Sequence, residues 1–244
     1  MANENRIALV TGGNKGIGLE IVRNLAGAGC IVLLGARNVE RGQEAVRQLK
    51  KAGRDSVHFL AIDVTRQETI TAAAKQIESE YGRLDILMNN AGINLRGDGL
   101  PGAADVSAVE KVFDTNFFGA LRVAQTMLPL LRNSAAGRIV NISSGLGSLT
   151  FNSDPTWTGR DVKLIGYNAS KAALNMLTVH LAYELRDTKI KVNSANPGYT
   201  KTDLNDNQGT QPVEVGAIAA TRLALLDDNG PTGGSFSKDG PDPW

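Results

Sequence analysis

The stretch Thr11-Gly12-Gly13-Asn14-Lys15-Gly16-Ile17-Gly18 lies between a short apolar run, Ile7–Val10, and a segment whose Ile17, Ile21, Val22 and Leu25 share one helical face. Strand, glycine-rich turn and helix in that order read as a phosphate-binding element. Glycine allows the tight turn, the close approach of a pyrophosphate to the backbone, and the packing of helix on strand. The helix N-terminus then turns unpaired N–H groups toward the anion. An ordinary strand-to-helix turn is the competing reading, and the paired strand and helix patterns weigh against it. A P-loop is excluded, because no Gly-Lys-Ser/Thr follows. Gly12, Asn14, Lys15, Gly16, Ile17 and Gly18 are therefore candidate cofactor contacts.

The same alternation runs outward from this turn. Ile31–Leu34, Val57–Ile62, Leu84–Met88, Arg138–Ile142 and Ile190–Asn193 are short and apolar on both faces, the pattern of buried parallel strands. Helical periodicity covers Val39–Ala52, Gln67–Tyr81, Val106–Arg132 and Gly166–Arg186, with Gly29 and Gly82 as stop signals. Alternation with right-handed crossovers predicts one α/β domain over residues 1–244: an open, doubly wound parallel sheet with helices on both faces. Two turn-rich stretches, 145–166 and 197–212, break the rhythm and are candidates for handling substrate.

Composition narrows the function. Over 244 residues, 26 Lys+Arg against 25 Asp+Glu leave a net charge of +1, which provides no field for nucleic acid or an anionic membrane. One cysteine, Cys30, excludes an internal disulfide framework, and with only His58 and His180 no metal site is expected. The longest apolar or glycine run, Cys30–Ala36, is too short for a bilayer, and the opening Ala2-Asn3-Glu4-Asn5-Arg6 lacks a signal-peptide layout. The expectation is a cytoplasmic protein with a small-molecule substrate.

The second strand pattern runs into Arg37, nineteen residues past Gly18, where an acid gripping the adenosine ribose of NAD would stand. A guanidinium there suits a 2′-phosphate, and Lys15 offers a second cation. Two unrelated surface cations are the bland alternative; with the acid absent, NADP(H) is the predicted cofactor. Asp63, next to Val64, either accepts from the adenine amino group or caps the helix near Gln67.

Further along stand Asn89-Asn90-Ala91-Gly92 and Tyr167-Asn168-Ala169-Ser170-Lys171. With the glycine loop, and over nearly the whole chain, these resemble the short-chain dehydrogenase/reductase family and its Rossmann-type sheet. Thr11–Gly18, Ala36-Arg37-Asn38, Thr115-Asn116-Phe117-Phe118-Gly119 and Asn196-Pro197-Gly198-Tyr199-Thr200-Lys201-Thr202-Asp203 resemble its NADPH-dependent carbonyl reductase branch.

The residues carry chemistry of their own. Tyr167 and Lys171 are i and i+4 on one helical face. An ammonium beside a phenol lowers the phenol's pKa from about 10, so the tyrosine can give a proton to a carbonyl oxygen and take it back. By spacing alone, an amphipathic Tyr and an exposed Lys would be the better reading; the position at the strand-end side of a nucleotide-binding sheet reverses that. Ser144 can stabilise charge on the substrate oxygen, with Ser143, on the opposite face of the strand, as its rival. The resemblance aligns Ser144, followed by Gly147, with the catalytic serine.

It also implies that Asn116, otherwise a solvated or capping residue, marks a helix distortion in a proton relay toward Lys171. Asn90, Ala91 and Gly92 would line the nicotinamide ribose. Pro197, Gly198, Thr200 and Thr202 would fix the carboxamide and diphosphate. Leu146, Trp157 and Tyr199 are candidates for an apolar substrate pocket beside Ser144, with simple packing the alternative for Trp157. Trp244 is read as docking the tail. The segment from Ser144 to Tyr167 is longer than most relatives need, which favours a monomer over the alternative dimer. The predicted activity is NADPH-dependent reduction of ketones and aldehydes. A non-catalytic NADP(H) sensor and a narrow ketoacyl or alcohol dehydrogenase are the alternatives.

Overall fold

The computed structural model describes residues 5–244; the Ala2-Asn3-Glu4 portion of the polar opening lies outside them. Six strands are parallel: β1 (Ile7–Thr11), β2 (Ile31–Ala36), β3 (Val57–Ala61), β4 (Ile86–Asn89), β5 (Arg138–Ile142) and β6 (Lys191–Ala195). Two short strands, β7 (Ser235–Ser237) and β8 (Gly240–Asp242), extend the sheet beyond β6, the last of them antiparallel. The order is β3-β2-β1-β4-β5-β6-β7-β8. The chain therefore winds away from β1 in both directions, and the crevice at the carboxyl ends of β1 and β4 is the place where such sheets bind ligands.

Strand alternation divides the core between the two faces. Leu9, Leu33, Leu87, Ile139 and Val192 pack against α3 (Gln67–Tyr81), α5 (Ala120–Arg132) and α7 (Ile165–Glu184). Ala8, Val10, Val32, Leu34, Ile86, Met88 and Val140 pack against α1 (Gly16–Gly27), α2 (Val39–Lys51) and α9 (Ile218–Ala224). Each fully buried Leu, Ile or Val contributes about 1.5–3 kcal/mol, so both faces are needed to hold the sheet. Cys30 is one of these buried groups. Arg138, at the amino end of β5, is 2% exposed, and its guanidinium donates to the carbonyls of Ala136, Gly137, Lys189 and Leu226.

The structure departs from the sequence reading in several places. The helix expected over 106–132 is two helices, α4 (Val106–Phe113) and α5, joined by a π turn at Asp114–Gly119. Strand β4 starts at Ile86 because the Leu84 N–H is taken by the Leu130 carbonyl at 3.1 Å. Strand β6 continues to Ala195, pairing with Ile142. The 145–166 stretch is not all irregular and contains α6 (Leu149–Ser153); α8 (Val213–Gly216) precedes α9. His58 and His180 lie exposed on β3 and α7. Among the described residues no helix is long and apolar enough to cross a membrane, and no three His, Cys, Asp or Glu are grouped to hold a metal ion.

Candidate active site

The turn after β1 is built around glycine conformation and close approach. Gly12 and Gly16 have φ of +63° and +56°. A Cβ on Gly18 would run into the Asn90 side-chain amide and stand 2.5 Å from the Gly12 carbonyl oxygen. That amide donates to the carbonyls of Thr11 (2.9 Å) and Gly12 (3.1 Å), while the N–H groups of Asn90 and Ala91 donate to Thr11 Oγ1. The end of β4 thus pins the turn in place. Helix α1 opens without a side-chain cap, which leaves its first turn free to meet an anion.

A cleft of about 690 Å³ lies over this turn. The candidates lining it are Gly12, Asn14, Lys15, Gly16, Ile17, Gly18, Arg37, Asp63, Val64, Asn90, Ala91, Gly92, Pro197, Thr202, Tyr167 and Lys171. Positive-φ glycines, an uncapped helix end and an exposed guanidinium at the β2 end fit a dinucleotide with its diphosphate on α1 and extra charge near Arg37. Lys15 is not free for that role: its ammonium pairs with Asp203 at 2.8 Å across the cleft mouth. Asp63 does not cap α3, whose N-cap is Arg66; its Oδ1 accepts from the Thr65 N–H (3.0 Å) and hydroxyl (2.7 Å).

At the other end, Lys171 is 4% exposed and its Nζ donates to the Ile142 carbonyl at 2.7 Å. The ammonium stands 5.6 Å from the centre of the Tyr167 ring. Burial pushes the Tyr167 phenol up to about 12, opposed by its hydrogen bond with Ser144, and pulls Lys171 down to about 8. The expected lowering of the phenol by the ammonium is therefore reversed in this structure. The i, i+4 spacing brings the charge to the ring, and loss of hydration sets the direction of the phenol's shift.

Ser143 and Ser144 separate as strand alternation predicts. The Ser143 hydroxyl donates to Asn175 Oδ1 at 2.6 Å and is buried, although its residue still touches the cleft. Ser144 Oγ accepts from the Leu146 N–H at 3.1 Å and faces Tyr167. Asn116 sits in the π turn, where its Oδ1 accepts from the Ile93 N–H (2.8 Å) and its Nδ2 donates to the Ile93 carbonyl and Ser170 Oγ, both at 3.0 Å. A Cβ on Gly92 would lie 3.5 Å from both Asn116 Oδ1 and Lys171 Nζ, so both groups border that glycine.

Ser144, Asn116, Leu146, Trp157, Tyr199, Gly198 and Thr200 are not among the residues lining the cleft; Ser144 reaches it through its hydrogen bond with Tyr167. Trp157 stacks on Phe151, 5.2 Å between centroids and 11° between planes, which keeps its ring within the insertion. Tyr199 is 52% exposed. The Thr200 hydroxyl turns inward to the Pro197 carbonyl (2.9 Å), and the Gly198 N–H donates to Asn196 Oδ1. The tail docks through its backbone, the Trp244 carbonyl accepting from the Thr150 N–H at 3.0 Å.

The cleft also includes Glu20 and Arg23, paired at 2.8 Å, and Asn94 and Thr115. Glu20, one turn beyond Gly16 on the same face of α1, was accessible from helical spacing. Nothing in the pattern around Asn94 marks it.

The fold and this cleft define a dinucleotide-binding α/β protein with a Ser, Tyr and Lys cluster at the inner end. The chain belongs to the short chain dehydrogenase family, whose model matches residues 6–212, and it is an oxidoreductase of that family. It is 39% identical to the short-chain dehydrogenase anuI of Penicillium roqueforti (strain FM164), over 89% of this chain and 88% of that one. The salutaridine reductase structure from Papaver somniferum is similar with a TM-score of 0.84, at 32% identity, over 96% and 99% of the two chains. The NADPH-bound carbonyl reductase from chicken fatty liver gives 0.85, at 27% identity, over 98% and 99%.

Proposed function

We propose that this protein reduces ketones and aldehydes to alcohols with NADPH, reversibly. The observation that carries the reading is the Tyr167 hydroxyl, paired with Ser144 and backed by buried Lys171, at the inner end of the cleft over the glycine turn. NADP(H) is favoured over NAD(H) by Arg37 and by the NADPH-bound state of the similar carbonyl reductase. The glycine turn and α1 would hold the diphosphate, and Asn90, Ala91 and Gly92 the nicotinamide end. When bound, the reduced nicotinamide supplies the hydride for the carbonyl carbon.

Everything else falls to this chain. Ser144 orients the carbonyl oxygen and supports charge growing on it. Tyr167, protonated well beyond neutral pH, gives its proton to that oxygen. Lys171, an ammonium below about pH 8, resupplies the proton, and Asn116 holds the wall beside it through Ile93. Leu146, Trp157 and Tyr199 remain our candidates for the outer substrate wall.

The chain is read as one cytoplasmic domain, in keeping with a free buried Cys30. It is read as a monomer; exposed Met176, Val179 and Tyr183 on α7 support a dimer as the alternative. Turnover of NADPH against a panel of ketones and aldehydes tests the activity. Tyr167→Phe should lower kcat on the order of 10³-fold with NADPH affinity unchanged. Full activity in that variant removes Tyr167 from the mechanism, and tight NADPH binding without turnover in the wild type favours the sensor.

A further inference from the structure

Helix α7 carries both Tyr167 and Lys171, yet its N-cap residue, Leu164, gives no side-chain cap. The first N–H groups of a helix have no partner within it. Here a loop distant in sequence provides them. The Ile165 N–H donates to the Gly99 carbonyl at 2.9 Å. The Gly166 and Tyr167 N–H groups donate to the two carboxylate oxygens of Asp98, each at 2.8 Å. The next N–H, from Asn168, returns to the Leu164 carbonyl. Two loop residues thus close the open end of the helix, and the carboxylate sits where the helix dipole favours negative charge.

The loop is itself held at both sides. It leaves the cleft wall at Ile93, which Asn116 grips by both its N–H and its carbonyl. The Asp105 N–H closes its base on the Gly97 carbonyl at 2.8 Å, and Asp98 Oδ1 also accepts from the Gly99 N–H. The approach is tight: a Cβ on Gly166 would lie 3.0 Å from Asp98 Oδ2 and 3.2 Å from the Val109 Cα. The contact falls on the backbone N–H of Tyr167 itself, so a shift of the loop moves the root of that side chain.

We propose that Asp98 is a positioning residue for Tyr167: its carboxylate fixes the first turn of α7 against the cleft wall and so sets where the phenol meets Ser144. The inference rests on the reading of Tyr167 as proton donor. Loss of an ordinary stabilising cap would lower the melting temperature and leave kcat of the folded enzyme alone. A positioning residue changes kcat in fully folded protein, because displacement of a reacting group by a fraction of an ångström is costly.

The test compares wild type, Asp98→Ala and Asp98→Asn as full chains, by hydrogen exchange of the peptide spanning 165–171, NADPH affinity, and kcat and KM. In Asp98→Ala, exchange in the first turn should speed up and kcat should fall about tenfold, with NADPH affinity within about twofold of wild type. Asp98→Asn keeps an acceptor and should fall between. If Asp98→Ala does not fold, Asp98→Asn and Gly166→Ala decide; the latter presses on an intact carboxylate and should lower kcat in the same direction. Unchanged exchange, or faster exchange with wild-type kcat, overturns the proposal. A wild type without carbonyl turnover marks instead the failure of the activity reading, a separate result.

Discussion

The two ends of the cleft hold charge in opposite ways. At the β2 end the cations are in water: Arg37 is exposed, and Lys15 and Asp203 are 60% and 65% exposed at the side chain. The fixed framework there is backbone, in the turned glycines and the Asn90 amide that pins them. At the α7 end Lys171 is 4% exposed and its ammonium is spent on a carbonyl. Exposed charge grips an anion without changing its own protonation and is weakened by salt. Buried charge pays in hydration and titrates elsewhere, which suits a group that must move a proton. Under the proposed function, one end selects and the other reacts.

Three experiments can break or sharpen this contrast. Arg37→Asp should weaken NADPH binding about 10- to 100-fold, the worth of a charge-assisted contact, and change NADH binding little. Fluorescence titration with both dinucleotides reads the difference, and equal losses would mean that the exposed end does not select. The pH dependence probes the other end. Lys171 titrates near 8, so it is charged below that pH and loses its proton above it; Tyr167 keeps its proton until about 12.

Reduction at saturating NADPH should therefore decline above about pH 8, approaching tenfold per pH unit, and Lys171→Arg, which stays charged, should lack that limb. A limb at pH 10 or beyond would show that Lys171 is not depressed. The smallest effect is expected from Asp203→Asn. Breaking an exposed pair frees Lys15, and NADPH affinity should rise by no more than about fivefold, with melting temperature almost unchanged. Weaker binding in that variant would make the Lys15–Asp203 bridge a closing latch across the mouth.

Much of this architecture was legible because buried parallel strands announce themselves. Val32, Leu33 and Leu34 face apolar neighbours on both sides, so β2 reads from composition alone. Strand β7 does not: Ser-Phe-Ser has no apolar run, and it is held by pairing, through the Ser194 N–H to the Gly234 carbonyl and the Asn196 N–H to the Phe236 carbonyl. Helices α8 and α9 are short and draw their support from buried Ala217, Ala219 and Ala220, small side chains that leave little periodic signal.

At the site, spacing brought Tyr167 and Lys171 together but gave the wrong sign for the phenol, because burial is a tertiary property. Strand parity separated Ser143 from Ser144, yet only the Asn175 and Tyr167 contacts tell what each serine faces. Lys15 was read as a free cation because its partner, Asp203, lies 188 residues away in the chain.

The π turn at Asp114–Gly119 has a consequence for how this chain can vary. A turn of that kind holds one residue more than regular helix, and everything after it is rotated relative to everything before. Dropping a single residue there would restore an unbroken rod and swing Asn116 away from Ile93. The surplus residue adds nothing to the rod itself; it is the slack that lets one amide reach sideways while α5 keeps its apolar stripe against the sheet and α4 lies along α7.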